Sequence, residues 1–144
     1  MIAGLIVTAA ALAVATAAGL AWRQRNGRVR SVPAGPAASG AVPRGITGAE
    51  LGVPLGSRAT LVQFSSAFCA PCRSTRRILA EVAGLIDGVA HVEIDAESHL
   101  ELVRRLDVRR TPTVFVLGPD GRIARRASGQ PRKADLIAAL GEVT

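Results

Sequence analysis

Residues 2–22 form an uninterrupted apolar run with no charged side chain and nothing more polar than Thr8 and Thr16. Wound as a helix they would span about 31 Å, close to the ~30 Å hydrocarbon core of a bilayer. A core helix of that length would carry a polar stripe, and this run has none. The pattern predicts a transmembrane anchor over residues 1–22, with the bilayer as its partner through residues 2–22 and Trp22 at the interface. A cleaved signal peptide is the alternative. It would open on a positively charged stretch and carry a shorter apolar segment, whereas here the apolar run starts at residue 2.

Apolar periodicity disappears over residues 23–47, where Pro33, Pro36 and Pro43 alternate with Gly27, Gly35, Gly40 and Gly45. That composition predicts a flexible linker. From residue 48 to 144 the pattern becomes that of a folded domain. TLVQFSS (60–66) reads as a buried strand. PCRSTRRILAEVAGLI (71–86) carries Ile78, Leu79, Val82, Leu85 and Ile86 as a helical stripe, with Pro71 in the first turn. AHVEID (90–95) is a second strand, and Ser98 with Glu101 makes a capping box ahead of a short helix. TVFVLG (113–118) turns through PDG (119–121) into a hairpin partner. A last helix places Leu136, Ile137 and Leu140 on one face. The order β-α-β-α-β-β-α predicts an α/β domain, a mixed central sheet flanked by helices.

Charge changes the picture at one point. The net charge of +7 splits into +5 before Glu50 and +2 from Glu50 onward, where 13 basic residues face 11 acidic ones. Arg23, Arg25, Arg28, Arg30 and Arg44 follow the apolar run with no acidic residue among them, so the positive-inside bias predicts a single-pass protein with its domain on the cytoplasmic side. The near-neutral remainder offers no basic, aromatic-bearing face for nucleic acid.

The two cysteines, Cys69 and Cys72, enclose Ala70 and Pro71 between the first strand and the following helix. Unpaired amides and the dipole at a helix N-terminus stabilise a thiolate at Cys69, and Cys72 lies one turn deeper within bonding range. Zinc would need four ligands, and His91 and His99, the two available histidines, fall on a strand and a helix facing elsewhere. A structural disulfide closing two residues would constrain little of the unfolded chain. Inert core cysteines remain the bland alternative. The redox reading is favoured.

FCAPCR after LVQFSS, followed by HVEID, DVRRTPTVFVLGPDG and ASGQPRK, resembles the thioredoxin family from about Leu61 to the C-terminus. The lead-in VPLGSRATLVQF is similar to its membrane-anchored TlpA/ResA-like branch, with the N-terminal strand and helix of free thioredoxins shortened or missing. The resemblance implies a thioredoxin-like fold behind one transmembrane helix. Cys69 would be the attacking cysteine and Cys72 the resolving one. Phe68, Thr111, Pro112 and Gly129 would form the substrate-binding surface, Thr111–Pro112 as a cis-proline segment and Gly129 keeping a groove open. Ala70, Pro71, Gln63 and His91 would support the pair. Phe68 replaces the usual tryptophan, Gln63 a buried aspartate and His91 its lysine partner, so deprotonation of Cys72 would fall to His91 or to water.

The implied activity is reduction of protein disulfides, with an upstream dithiol as electron donor and no cofactor or metal. Two alternatives stand beside it. One is a non-catalytic module of the same fold that binds a membrane partner. The other is an extracytoplasmic reductase in cytochrome or envelope-protein maturation, reached if the positive-inside bias is overridden.

Overall fold

The computed structural model describes residues 2–32 and 45–143. A helix α1 (Ile2–Arg25) is followed by strand β1 (Val29–Ser31), a four-residue helix α2 (Gly48–Leu51), β2 (Ala59–Ser65), α3 (Ala70–Leu85), β3 (Val89–Asp95), α4 (Leu100–Arg105), β4 (Thr113–Leu117), β5 (Ile123–Ser128) and α5 (Lys133–Gly141). The five strands make one mixed sheet in the order β1-β5-β4-β2-β3. Only β2 and β3 run parallel, as a connection through α3 requires. The others pair antiparallel.

Strand alternation divides the core in two. Val62, Phe64, Phe115 and Leu117 point to one face, where Leu51, Leu102 and Leu106 cover them. Leu61, Val114, Val116 and Ala127 point to the other, beneath Leu79 and Val82 of α3 and Leu136, Ala139 and Leu140 of α5. Gln63 and Ser65 share the second face with Leu61 by the period of two, which sets Gln63 under α3.

Several expectations change. Residues 23–47 are not wholly a linker: α1 continues to Arg25, and Val29–Ser31 joins the sheet edge against β5 in the register Val29↔Ala127 to Ser31↔Arg125. Periodicity could not reveal a three-residue strand with one apolar side chain. Further on, Gly45 bridges to Arg122, Ile46 is buried and Thr47 forms a capping box with Glu50, so the folded part begins ahead of residue 48. Pro33, Pro36, Pro43, Gly35, Gly40 and Arg44 lie outside the described residues. The Ser98–Glu101 capping box does not form. Ser98 donates to the Asp95 carboxylate instead, and α4 starts after His99 without a side-chain cap. Leu85 and Ile137, placed on buried stripes, are exposed.

These contacts give a prediction about truncation. A fragment beginning at Glu50 lacks β1 and the buried Ile46, and losing such an isoleucine alone costs about 2–5 kcal/mol. Its urea midpoint should lie clearly below that of a fragment beginning at Asn26. Equal midpoints would show that the N-terminal pieces contribute nothing to the fold.

Candidate functional site

The site forms where β2 ends and α3 begins. Cys69 is the N-cap of α3, with extended backbone, and the Cys72 amide donates to its Sγ at 3.2 Å. Pro71 in the first turn removes an amide that would have had no helical partner. Cys69 and Cys72 are bonded to each other as a disulfide, with their Cα atoms 5.2 Å apart. Cys69 is partly exposed and Cys72 is buried. The same amide that caps the helix on Sγ would stabilise a Cys69 thiolate after reduction. Ala70 and Pro71 are exposed, and the Phe68 ring beside them is fully so.

A second loop meets this one. The Thr111–Pro112 peptide is cis, and Thr111 Oγ1 lies 2.9 Å from Ser66 Oγ, tying the loop before the cysteines to the proline loop. Pro112 O accepts the Gly129 amide at 2.7 Å. Gly129 has φ +95°, and a Cβ there would fall 2.2 Å from Asn26 Oδ1. The space above Gly129 is therefore taken by Asn26 of this chain, where the family resemblance implied an open groove. Asn26 and Ser66 carried no motif, and only the folded chain brings them here.

Beneath the cysteines, Gln63 is completely buried. Its Nε2 donates to Cys72 O at 2.9 Å and Ser65 Oγ at 2.7 Å, and reaches Glu93 Oε1 at 3.5 Å. Ser65 Oγ donates to the same Glu93 oxygen at 2.6 Å, and Arg76 closes the network as an ion pair with Glu93. Gln63 Oε1 is left buried with no partner among the described residues.

His91 is not the partner of Gln63 in this network. The parallel register sets His91 opposite Leu61 and Glu93 opposite Gln63. His91 Nε2 is buried and unpartnered among the described residues. Counting the β2–β3 register from the sequence would have found Glu93, an acid in the middle of HVEID.

Burial raises the Glu93 carboxyl, but hydrogen bonds from Arg76 and Ser65, with the charges of Arg76 and His91, outweigh it and hold the group below its ordinary value. Burial pushes the His91 imidazole below 6.5; the Glu93 charge opposes this and the Arg76 charge adds to it. The unfolded chain therefore protonates His91 first as pH falls below about 6.5, and stability is lost from there downward. The contribution of Glu93 is kept until pH approaches the unfolded carboxyl value of about 4.3 and is lost below it. The urea midpoint should fall between pH 7.5 and 5.5, and His91→Gln should flatten that fall. An unaltered slope in the variant would contradict the assignment.

Among the described residues, no group of three or more His, Cys, Asp or Glu is arranged to hold a metal ion. The family model described as "Thioredoxin" matches residues 52–142. The chain belongs to the thioredoxin family. Among curated thioredoxins it is 29% identical to Thioredoxin H5 of Oryza sativa subsp. japonica over 72 residues, which is 50% of this chain and 53% of the relative. It is 30% identical to Thioredoxin H2-1 of the same plant over 73 residues, 51% and 52% of the two chains. The chain thus spans about half the length of the curated relatives it matches. Chloroplastic thioredoxin z superposes with a TM-score of 0.57 at 26% identity, covering 68% of this chain and 90% of the other. Fasciola hepatica thioredoxin does so with 0.53 at 21% identity, covering 62% and 84%, a likeness of fold.

Proposed function

We propose that this thioredoxin-family chain is a membrane-anchored thiol–disulfide oxidoreductase that reduces protein disulfides. The observation that carries the reading is Cys69 at the N-cap of α3, its sulfur held by the Cys72 amide and already paired with Cys72. In the reduced protein the Cys69 thiolate attacks one sulfur of a substrate disulfide. A Cys69–substrate disulfide forms, and the other substrate sulfur leaves as a thiolate and takes up a proton. Cys72, deprotonated, then attacks Cys69 Sγ, re-forming the Cys69–Cys72 bond and releasing the second substrate thiolate. Two electrons pass to the substrate, and an upstream dithiol returns them to the pair. Phe68, Thr111 and Pro112 offer the surface on which a substrate backbone would lie.

Anchoring is supported by α1, whose Ile6–Arg25 segment is long and apolar enough to cross a bilayer and is not buried in the domain. A signal sequence would satisfy the same composition, and alkaline extraction of membranes separates the two. The flanking arginines favour a cytoplasmic domain. An anchored chain of this kind is similar to the TlpA/ResA-like branch. The test of the activity is insulin reduction by the full chain with dithiothreitol as donor. Turnover above the rate of dithiothreitol alone supports the proposal, and none would leave only a binding module.

A further inference from the structure

A cavity of about 340 Å³ opens where the end of α1 meets β1, β5 and the loop before Pro112. Five arginines line it: Arg25, Arg28, Arg30, Arg110 and Arg126. The other lining residues among those described are Ser31, Val32 and Ser128, with no carboxylate among them. Like charges gathered in one concavity repel one another, so the arrangement calls for an anion.

The local hydrogen bonds do not supply one. Arg126 donates to the backbone oxygens of Leu106 and Asp107 at 2.9 and 2.6 Å and lies 5.2 Å over the Phe115 ring. Arg110 donates to Ser128 O at 2.8 Å. Carbonyls and a ring orient both guanidinium groups without neutralising them. The Asp107 carboxylate, whose charge Arg126 feels, is engaged by Arg109 at 2.8 Å. Among the described residues the side chains of Arg25, Arg28 and Arg30 have no hydrogen-bond or ion-pair partner. Planar guanidinium forks match phosphate oxygens two at a time.

Position decides which phosphate. Arg25 is the last residue of α1 and a wall of the cavity, so the cavity sits where the apolar helix ends. If α1 spans a bilayer, that level is the headgroup layer, where basic pockets bind acidic lipids. We propose that this arginine cavity binds the phosphate of an anionic phospholipid headgroup. The inference rests on the anchoring proposed above. Its consequence concerns the redox site: Ser128 precedes Gly129, which bonds Pro112, and Arg110 lies two residues before that proline. A lipid held in the cavity keeps the proline loop at the bilayer surface, where disulfides close to the membrane are within reach.

Native mass spectrometry of the full chain in detergent, titrated with phosphatidylglycerol or phosphatidylcholine, tests the cavity. One phosphatidylglycerol should be retained at roughly tenfold lower concentration than phosphatidylcholine. The combined Arg28→Gln and Arg110→Gln variant should lose that preference while keeping its circular dichroism. Arg30→Gln alone, on an exposed strand position, should weaken it and serves if the combined variant misfolds. Equal retention of the two lipids, or a preference intact in a folded variant, would overturn the assignment. Displacement of the lipid by equimolar inorganic phosphate would also overturn it, because the cavity would then read a free anion. Alkaline carbonate extraction of the reconstituted chain separates the two levels. Release by carbonate overturns anchoring and the docking role with it, whereas a carbonate-resistant chain with no lipid preference overturns the cavity alone.

Discussion

Insulin reduction by the Cys69→Ser protein should fall to the rate of dithiothreitol alone, and Cys72→Ser should stall at the mixed disulfide with the substrate still attached until the donor removes it. The difference between the variants follows from the geometry. Cys69 is the partly exposed N-cap whose sulfur receives an amide hydrogen bond, and Cys72 is buried one turn further into α3. A serine hydroxyl at 69 cannot form the mixed disulfide, so no step begins. With serine at 72 the mixed disulfide forms but has no internal thiol to displace the product, and it persists until the donor attacks it. Turbidity reports the loss of turnover, and a mass shift without reductant reports the trapped substrate. The roles assigned here fail if Cys69→Ser keeps a substantial share of the wild-type rate, or if Cys69→Ser is the variant that accumulates the adduct.

The second large effect is expected at Gln63. Its amide donates to Cys72 O and Ser65 but cannot accept a proton from the Cys72 thiol. Gln63→Asp would place a carboxylate under the resolving cysteine, and base assistance of this kind contributes about 10²–10⁴-fold. Release of the mixed disulfide should accelerate at least several-fold near neutral pH. The new carboxyl would be buried and close to Glu93, and both effects favour its protonated form. A carboxyl whose folded value is raised costs least stability at low pH and more as pH climbs through that value. Relative to the parent, the variant should therefore lose stability as pH rises above the unfolded carboxyl value of about 3.9, while its release rate increases. Glu93→Gln in the native background is the companion experiment, because among the described residues Glu93 is the carboxylate in the Gln63 network. Stopped-flow decay of a mixed disulfide between Cys69 and a chromogenic thiol measures both variants. An unchanged rate in a folded Gln63→Asp protein would mean that proton removal from Cys72 does not limit release.

Much of this architecture was legible in the pattern of side chains. The run around Leu61 to Phe64 is buried on both faces, so a strand was the reading its largely apolar side chains allowed, and it lies inside the sheet between β4 and β3. Cys69 at a strand-to-helix junction followed from where that run stops and the α3 stripe starts. The missing pieces depend on contacts between distant segments. Val29–Ser31 becomes a strand only because β5 offers an edge, and its arginine and serine give no alternating signal. Glu93 joins the site through strand register, which a residue-by-residue resemblance to a lysine position had directed to His91. Asn26 over Gly129 is a packing event across about a hundred residues of chain. Leu85 continues the α3 stripe in sequence, but in the fold Val82 and Ile86 face the core while the Leu85 side chain stays in water.

The central claim is that Cys69 is an activated thiol at the N-terminus of α3, and its reactivity in the reduced protein tests this most directly. Reduced full-length protein would be treated with iodoacetamide at pH 7 and the label on each cysteine followed by peptide mass spectrometry. Cys69 should be modified well before Cys72, and roughly tenfold faster than a cysteine in an unstructured peptide, whose thiol ionises near ~8.5. Equal labelling of Cys69 and Cys72, or a Cys69 rate no higher than the peptide's, would contradict the account.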